Sequence, residues 1–235
     1  MAFQAKNDYC GLTAITALSS ALTIRDDAEN ATKETYQAQG QDGSFLAIEA
    51  YGDDAAPTNS YGIKAGGFTL SAGDVSLNAI TTINNKNYAL ESINITTAAG
   101  AAPTMSATAQ LVESGAADAT QCLYEVPALT VTSKQHAQIL FSSFTLTGSG
   151  CSLTECSATI GGTVNKDKVA GVIIASDINS GLVTVTGTIL QTGSTAPTVT
   201  PATGWVLTKP PTCTNPETAY KNYTFELQLP LAKAS

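Results

Sequence analysis

The 235 residues allow one large all-β domain or two small ones, and 43% hydrophobic residues are enough for a sizeable core; no boundary between domains shows along the chain, so a single all-β domain over 1–235 is expected. Only 13% are charged, against about 25% in an average soluble protein. Eleven basic against nineteen acidic residues leave a net charge of −8, the wrong balance for gripping a phosphate backbone.

No run approaches the roughly 18 apolar residues of a membrane-spanning helix. The nearest thing to a secretion signal, Cys10 to Ile24, is preceded by Asp8, interrupted by hydroxyls and led by no positive cluster. Residues 25–40, RDDAENATKETYQAQG, hold one helical Glu29–Lys33 pair but no apolar stripe, and are expected to be an exposed helix turn or loop. Residues 52–67 carry Gly52, Pro57, Asn59, Gly62, Gly66 and Gly67 and read as a long surface loop. The segment 1–66 is therefore expected to be loop-rich.

Inside it stands Tyr51-Gly52-Asp53-Asp54, the four residues on which many RNA-templated polymerases carry two metal-binding carboxylates. That chemistry needs apolar strands on both sides, a second acidic cluster upstream and a basic channel. Here Ala55-Ala56-Pro57-Thr58-Asn59 follows, and the only other acidic cluster is Asp26-Asp27-Glu29. The expectation is a surface turn in which Asp and Gly supply local backbone hydrogen bonds.

From Phe68 onward the period is two. Phe68 and Leu70, then Val75 and Leu77, alternate with polar residues and predict two short strands. Residues 88–112 predict a hairpin, with Ile93 and Ile95 facing Ala107, Ala109 and Leu111 across a turn from Gly100 to Pro103. The spacing from Leu90 to Ile93 breaks phase and predicts a bulge. Residues 139–147 predict one strand with Leu140, Phe144 and Leu146 on a face. Residues 171–190 predict a second hairpin turning at Asp177 to Gly181, and Tyr223 to Leu229 predicts a last strand. Strands joined by Gly, Pro and Asn turns imply a β-sandwich or β-barrel of antiparallel strands with long loops and room for one short helix.

Catalytic signals are sparse. His136 is the single histidine, in a Ser133-Lys134-Gln135-His136 stretch that reads as a polar loop or helix start. The five cysteines, at 10, 122, 151, 156 and 213, are an odd set that cannot pair completely within one chain, which suits a reducing cytoplasm. Cys151, Cys156, Cys213 and His136 could surround zinc, though the first pair, with four residues between, is at the wide end of the usual spacing and the fourth ligand is remote; a local Cys151–Cys156 disulfide or free thiols are the other readings. Gly161-Gly162-Thr163 lacks the lysine and helix of a phosphate-binding loop. The sequons at Asn30, Asn94 and Asn222 are what chance gives in a Thr-rich chain, and Trp205 is expected in the core or at an interface. No catalytic, cofactor-binding or metal site is assigned, and a structural or binding protein is expected rather than an enzyme.

The hairpin ESINITTAAGAAPTMSATAQL, the segment GVIIASDINSGLVTVTGTIL and the closing YKNYTFELQLPL resemble the strand arrangement of bacteriophage tail tube (major tail) proteins. The resemblance covers about residues 65–230 as a pattern of strands. It implies a virion protein assembled in the host bacterial cytoplasm, with no cofactor and no membrane contact. Its partners would be itself, in hexameric rings whose inner hairpins join into a β-barrel lumen and stack into a tube, other virion proteins, and DNA passing through without specific binding. An acidic, hydroxyl-lined wall suits such a conduit, because it repels phosphate and offers no cation to trap it. A capsid decoration protein or a β-sandwich adhesin is the alternative.

Overall fold

The computed structural model describes residues 22–39, 41, 45–63, 67–83, 86–112, 123–131, 139–140, 143–169, 172–216 and 219–233. Among them are sixteen strands and no helix. In chain order they are β1 Leu22–Gln39, β2 Phe45–Ile63, β3 Phe68–Leu70, β4 Ser76–Leu77, β5 Ile80–Ile83, β6 Lys86–Ala98, β7 Thr104–Val112 and β8 Tyr124–Glu125. There follow β9 Leu129–Val131, β10 Ile139–Leu140, β11 Phe144–Thr147, β12 Cys151–Val169, β13 Val172–Gln191, β14 Thr198–Pro201, β15 Val206–Cys213 and β16 Lys221–Pro230.

One nine-stranded antiparallel sheet runs β1-β2-β7-β6-β12-β13-β16-β15, with β5 added beside β6, and it does not close into a barrel. Three small sheets, β10-β9-β3, β11-β14 and β4-β8, contribute Phe68, Leu70, Leu77, Tyr124, Leu129, Val131 and Val199 to the same core as its inner face. The architecture is thus a sandwich rather than a barrel. Register explains why: Tyr61, Met105, Ile95, Ala158, Val185 and Leu227 lie side by side across six strands, each at most 6% exposed. A large aliphatic side chain buried this way contributes about 1.5–3 kcal/mol.

Several expectations hold. The short strands at 68–70 and 76–77, the Gly100–Pro103 turn and the last strand are all present, and β6 bulges between Leu90 and Ser92 where the phase breaks. Trp205 is in the core, 8% exposed.

Others are corrected. Residues 25–40 and 52–63 are mostly strand, not helix turn and loop: β1 and β2 pair from Leu22↔Ile63 to Gln39↔Phe45. Ladder hydrogen bonds between these two consecutive strands satisfy the backbone there, and no local apolar period announces them. The 139–147 segment is two strands in two sheets, since β10 joins β9 and β11 joins β14. The expected 171–190 hairpin is a single strand, β13, whose hairpin partner is β12. Its Ser180 and Gly181 sit opposite Gly162 in a bulge, with Ser180 at φ 56°. Bulges and turns draw on the same residue types, so the local signal was ambiguous.

The 88–112 hairpin has β2 on one side and β12 on the other, both from its own chain. Its edges at Ile93–Ala98 and Thr104–Thr108 are therefore not free for a neighbouring copy. Thr108→Pro, in a strand paired on both sides and joined to Thr58 by an Oγ1–Oγ1 contact of 3.3 Å, is expected to abolish the cooperative urea transition of the whole domain. Gly187 pairs with Phe225, and a Cβ there would come 2.4 Å from the phenyl ring. Gly187→Ala is expected to destabilise by about 1–3 kcal/mol in urea titrations.

Candidate functional site

The residues singled out above do not converge. Tyr51-Gly52-Asp53-Asp54 lies inside β2, not on a surface turn: Tyr51 pairs with Glu34 and Asp54 with Thr32, so Gly52 and Asp53 stand opposite Lys33 in a bulge. The second acidic cluster is on the facing strand, but Glu29, its nearest member, is three residues from Thr32, about 10 Å along the ladder.

Cys10, Cys122 and His136, and with them the Ser133–His136 stretch and most of the 10–24 segment, lie outside the described residues. Cys151, Cys156 and Cys213 are in no disulfide. Cys151 and Cys156 are five positions apart on one extended strand, roughly 16 Å, where a disulfide tolerates about 7 Å between Cα atoms. No group of metal-ligating side chains occurs among the described residues. Burial pushes the Cys151 thiol above its ordinary value, so it is held protonated and is a poor nucleophile at neutral pH. Tyr223, beside Cys213 in the β15–β16 ladder, is raised by desolvation and then by the Cys213 thiol. Gly161-Gly162-Thr163 opens a bulge between two strands rather than a helix.

What the fold does assemble is the outer face of the large sheet. The residues between the apolar rows form polar rows. One runs Ser60, Ser106, Asn94, Thr159, Thr184, Gln228; its neighbour runs Thr104, Thr96, Ser157, Thr186, Glu226, Lys209. Six strands at about 4.8 Å spacing make this surface about 24 Å across. All twelve side chains are half-buried or exposed, while the inner rows are buried. Ser157 and Thr186 join hydroxyl to hydroxyl at 2.7 Å, so neither is aimed at a base.

Two charges interrupt these rows, and they neutralise each other. Lys209 Nζ is 2.5 Å from Glu226 Oε2, while Thr208 Oγ1 and Gln228 Nε2 donate to Glu226 Oε1 at 2.9 and 3.0 Å. The Lys209 hydrogen bond is the main reason that the Glu226 carboxyl is held below the usual carboxylate range, against a smaller opposing effect of burial. Beside this pair an open depression of about 260 Å³ is lined by Glu155, Ser157, Thr186, Thr188, Thr224 and Glu226. The face can donate and accept hydrogen bonds widely, and it carries no uncompensated ammonium in these rows.

Sequence reasoning saw the alternation within single strands, such as Tyr223 to Leu229, but not the face. The missing signal was which strands are neighbours. No protein-family model matches the chain, and no curated protein matches it either.

The sign of the Glu226 shift sets a pH dependence. A carboxyl whose pKa is lowered on folding adds stability above its unfolded value, about 4.3, and loses it as pH falls through the lowered one. Lys209→Met should therefore flatten the loss of stability between pH 7 and pH 3 in urea titrations. The Lys209 side chain is 71% exposed, so the change at pH 7 should stay below about 1 kcal/mol and shrink in high salt.

Proposed function

We propose that the chain is a structural virion protein, a tail tube subunit whose copies close into rings, six to a ring, and stack into a conduit for DNA. The observation that carries this reading is the outer face of the nine-stranded sheet. It is broad, hydroxyl- and amide-covered, and the one lysine in its two described rows is tied to a carboxylate. A wall of that chemistry, in a chain of net charge −8, repels phosphates and gives them no cation to rest on.

Ring closure in this reading uses the sheet's outer strands rather than the 88–112 hairpin. Among the described residues β1 pairs only with β2, so its far edge is open to a ladder with another copy. The other end is different. Strand β15 carries Pro210 and Pro211 and two register shifts against β16, so a neighbour there would be met by side chains rather than by a regular ladder.

Negative-stain electron microscopy and light scattering of the purified chain test the assembly. Rings of six or stacked tubes at rising concentration are expected; persistent monomers or trimers would replace this reading with a capsid decoration protein or an adhesin. The double variant Thr159→Lys, Thr184→Lys tests the wall. Tubes should still form but retain DNA at about 50 mM salt and release it as salt rises. Failure to form rings would make the hydroxyl face an interface between subunits instead of a lumen.

A further inference from the structure

Strands β12 and β13 serve the sheet for only part of their length. Strand β6 pairs with β12 from Glu155 to Ile160, and β16 pairs with β13 from Leu182 to Gln191. Beyond them the ladder from Thr163↔Asn179 to Val169↔Val172 has no third strand among the described pairings. Within the sheet β13 is three places from β7 and four from β2, about 14 and 19 Å. It nevertheless packs against both. The distal ribbon must therefore fold back across the sheet.

The bend is built into the sequence. Gly162 faces Ser180 and Gly181 across the bulge, and Ser180 takes the left-handed conformation. A Cβ on Gly162 would fall 2.5 Å from Ile178, and one on Gly181 2.6 Å from the Tyr124 ring. The fastening is polar. Lys166 donates to Gln110 Oε1 and lies 3.5 Å from Glu91 Oε1. Gln110 is fully buried, and its amide Nε2 is committed to Leu111 O at 3.3 Å, which turns its oxygen toward the ammonium. Glu91 is the extra residue of the β6 bulge, with its side chain 13% exposed.

From this arrangement we infer that residues 163–169 and 172–179 form a strap, hinged at Gly162 and Gly181 and clasped by Lys166 to Glu91 and Gln110, which opens as a unit while the sheet stays folded. Two strands without a third are marginal in water, so the strap depends on what it is fastened to. Its apolar seat includes Ile178 and Val164, and its polar seat is this clasp. Breaking a partly buried ion pair by removing one member is costly, so the clasp resists opening. The inference is independent of the tube reading, because it concerns the folded subunit alone.

Hydrogen exchange of the unmodified chain in sub-denaturing urea, read by mass spectrometry, is the first test. The amides of 163–179 should exchange by an opening with weaker urea dependence than those of 151–160 and 182–191. Lys166→Met should speed exchange in 163–179 by ~10-fold or more and leave the other two segments unchanged. Reversing both charges, with Glu91→Lys and Lys166→Glu together, should restore part of the protection. A strap that shares the sheet's urea dependence, or a Lys166→Met effect that is absent or spread over all strands, would overturn the inference.

Discussion

Everything in this molecule depends on the register that keeps two chemistries on opposite sides of one sheet. Because successive side chains point to opposite faces, a slip of one residue in any of six strands would put Ile95 or Val185 in water and Thr96 or Thr186 in the core. Burial of the inner row opposes such a slip at every strand. The small sheets add to the constraint from the other side, since their Leu77, Leu129 and Val131 are buried in the core that the inner face provides. The hydroxyl face is then a consequence of the packing rather than a separate feature.

Irregularities in the ladder follow from the same constraint. A strand that must stay in register over a long distance needs places where an extra residue can be absorbed, and β12 has three such shifts against β13. Each does local work. The shift between Leu153 and Glu155 returns Cys156, Ala158 and Ile160 to the buried side, and the one at Gly162 lets the ribbon leave the plane of the sheet. The Glu91 bulge in β6 places a carboxylate where Lys166 arrives. Glycine is needed where the approach is closest: at Gly187 the Phe225 ring occupies the space of a side chain and meets Phe144 edge-on at 5.0 Å.

The proposed assembly and the proposed strap draw on different parts of this plan. The first uses the face and the outer strands of the sheet, where polar groups remain for a partner or for solvent. The second uses the ends of the two longest strands, where the ladder has outrun its neighbours. A low-charge surface suits both, since hydroxyls and amides can exchange water for protein at little electrostatic cost.

The amino-acid sequence by itself determined the all-β class, the alternation in β3, β7 and β16, the Gly100–Pro103 turn, the Leu90 bulge and the burial of Trp205. Those are local properties, written in period-two patterns and turn chemistry within a few residues. It did not determine the long β1–β2 pairing, whose segments carry few apolar residues in phase, nor that Asp177 to Gly181 belongs to a continuous strand, because Ser and Gly serve a bulge as well as a turn. Only the tertiary structure decided that Asp53 and Asp54 lie in the β1–β2 ladder rather than in a turn, and that Ser60, Asn94, Thr184 and Gln228 share one surface. The physical reason is that a β-sheet is held by hydrogen bonds between residues distant in sequence, so strand order is fixed by how the apolar faces close on a common core and not by anything within a single strand.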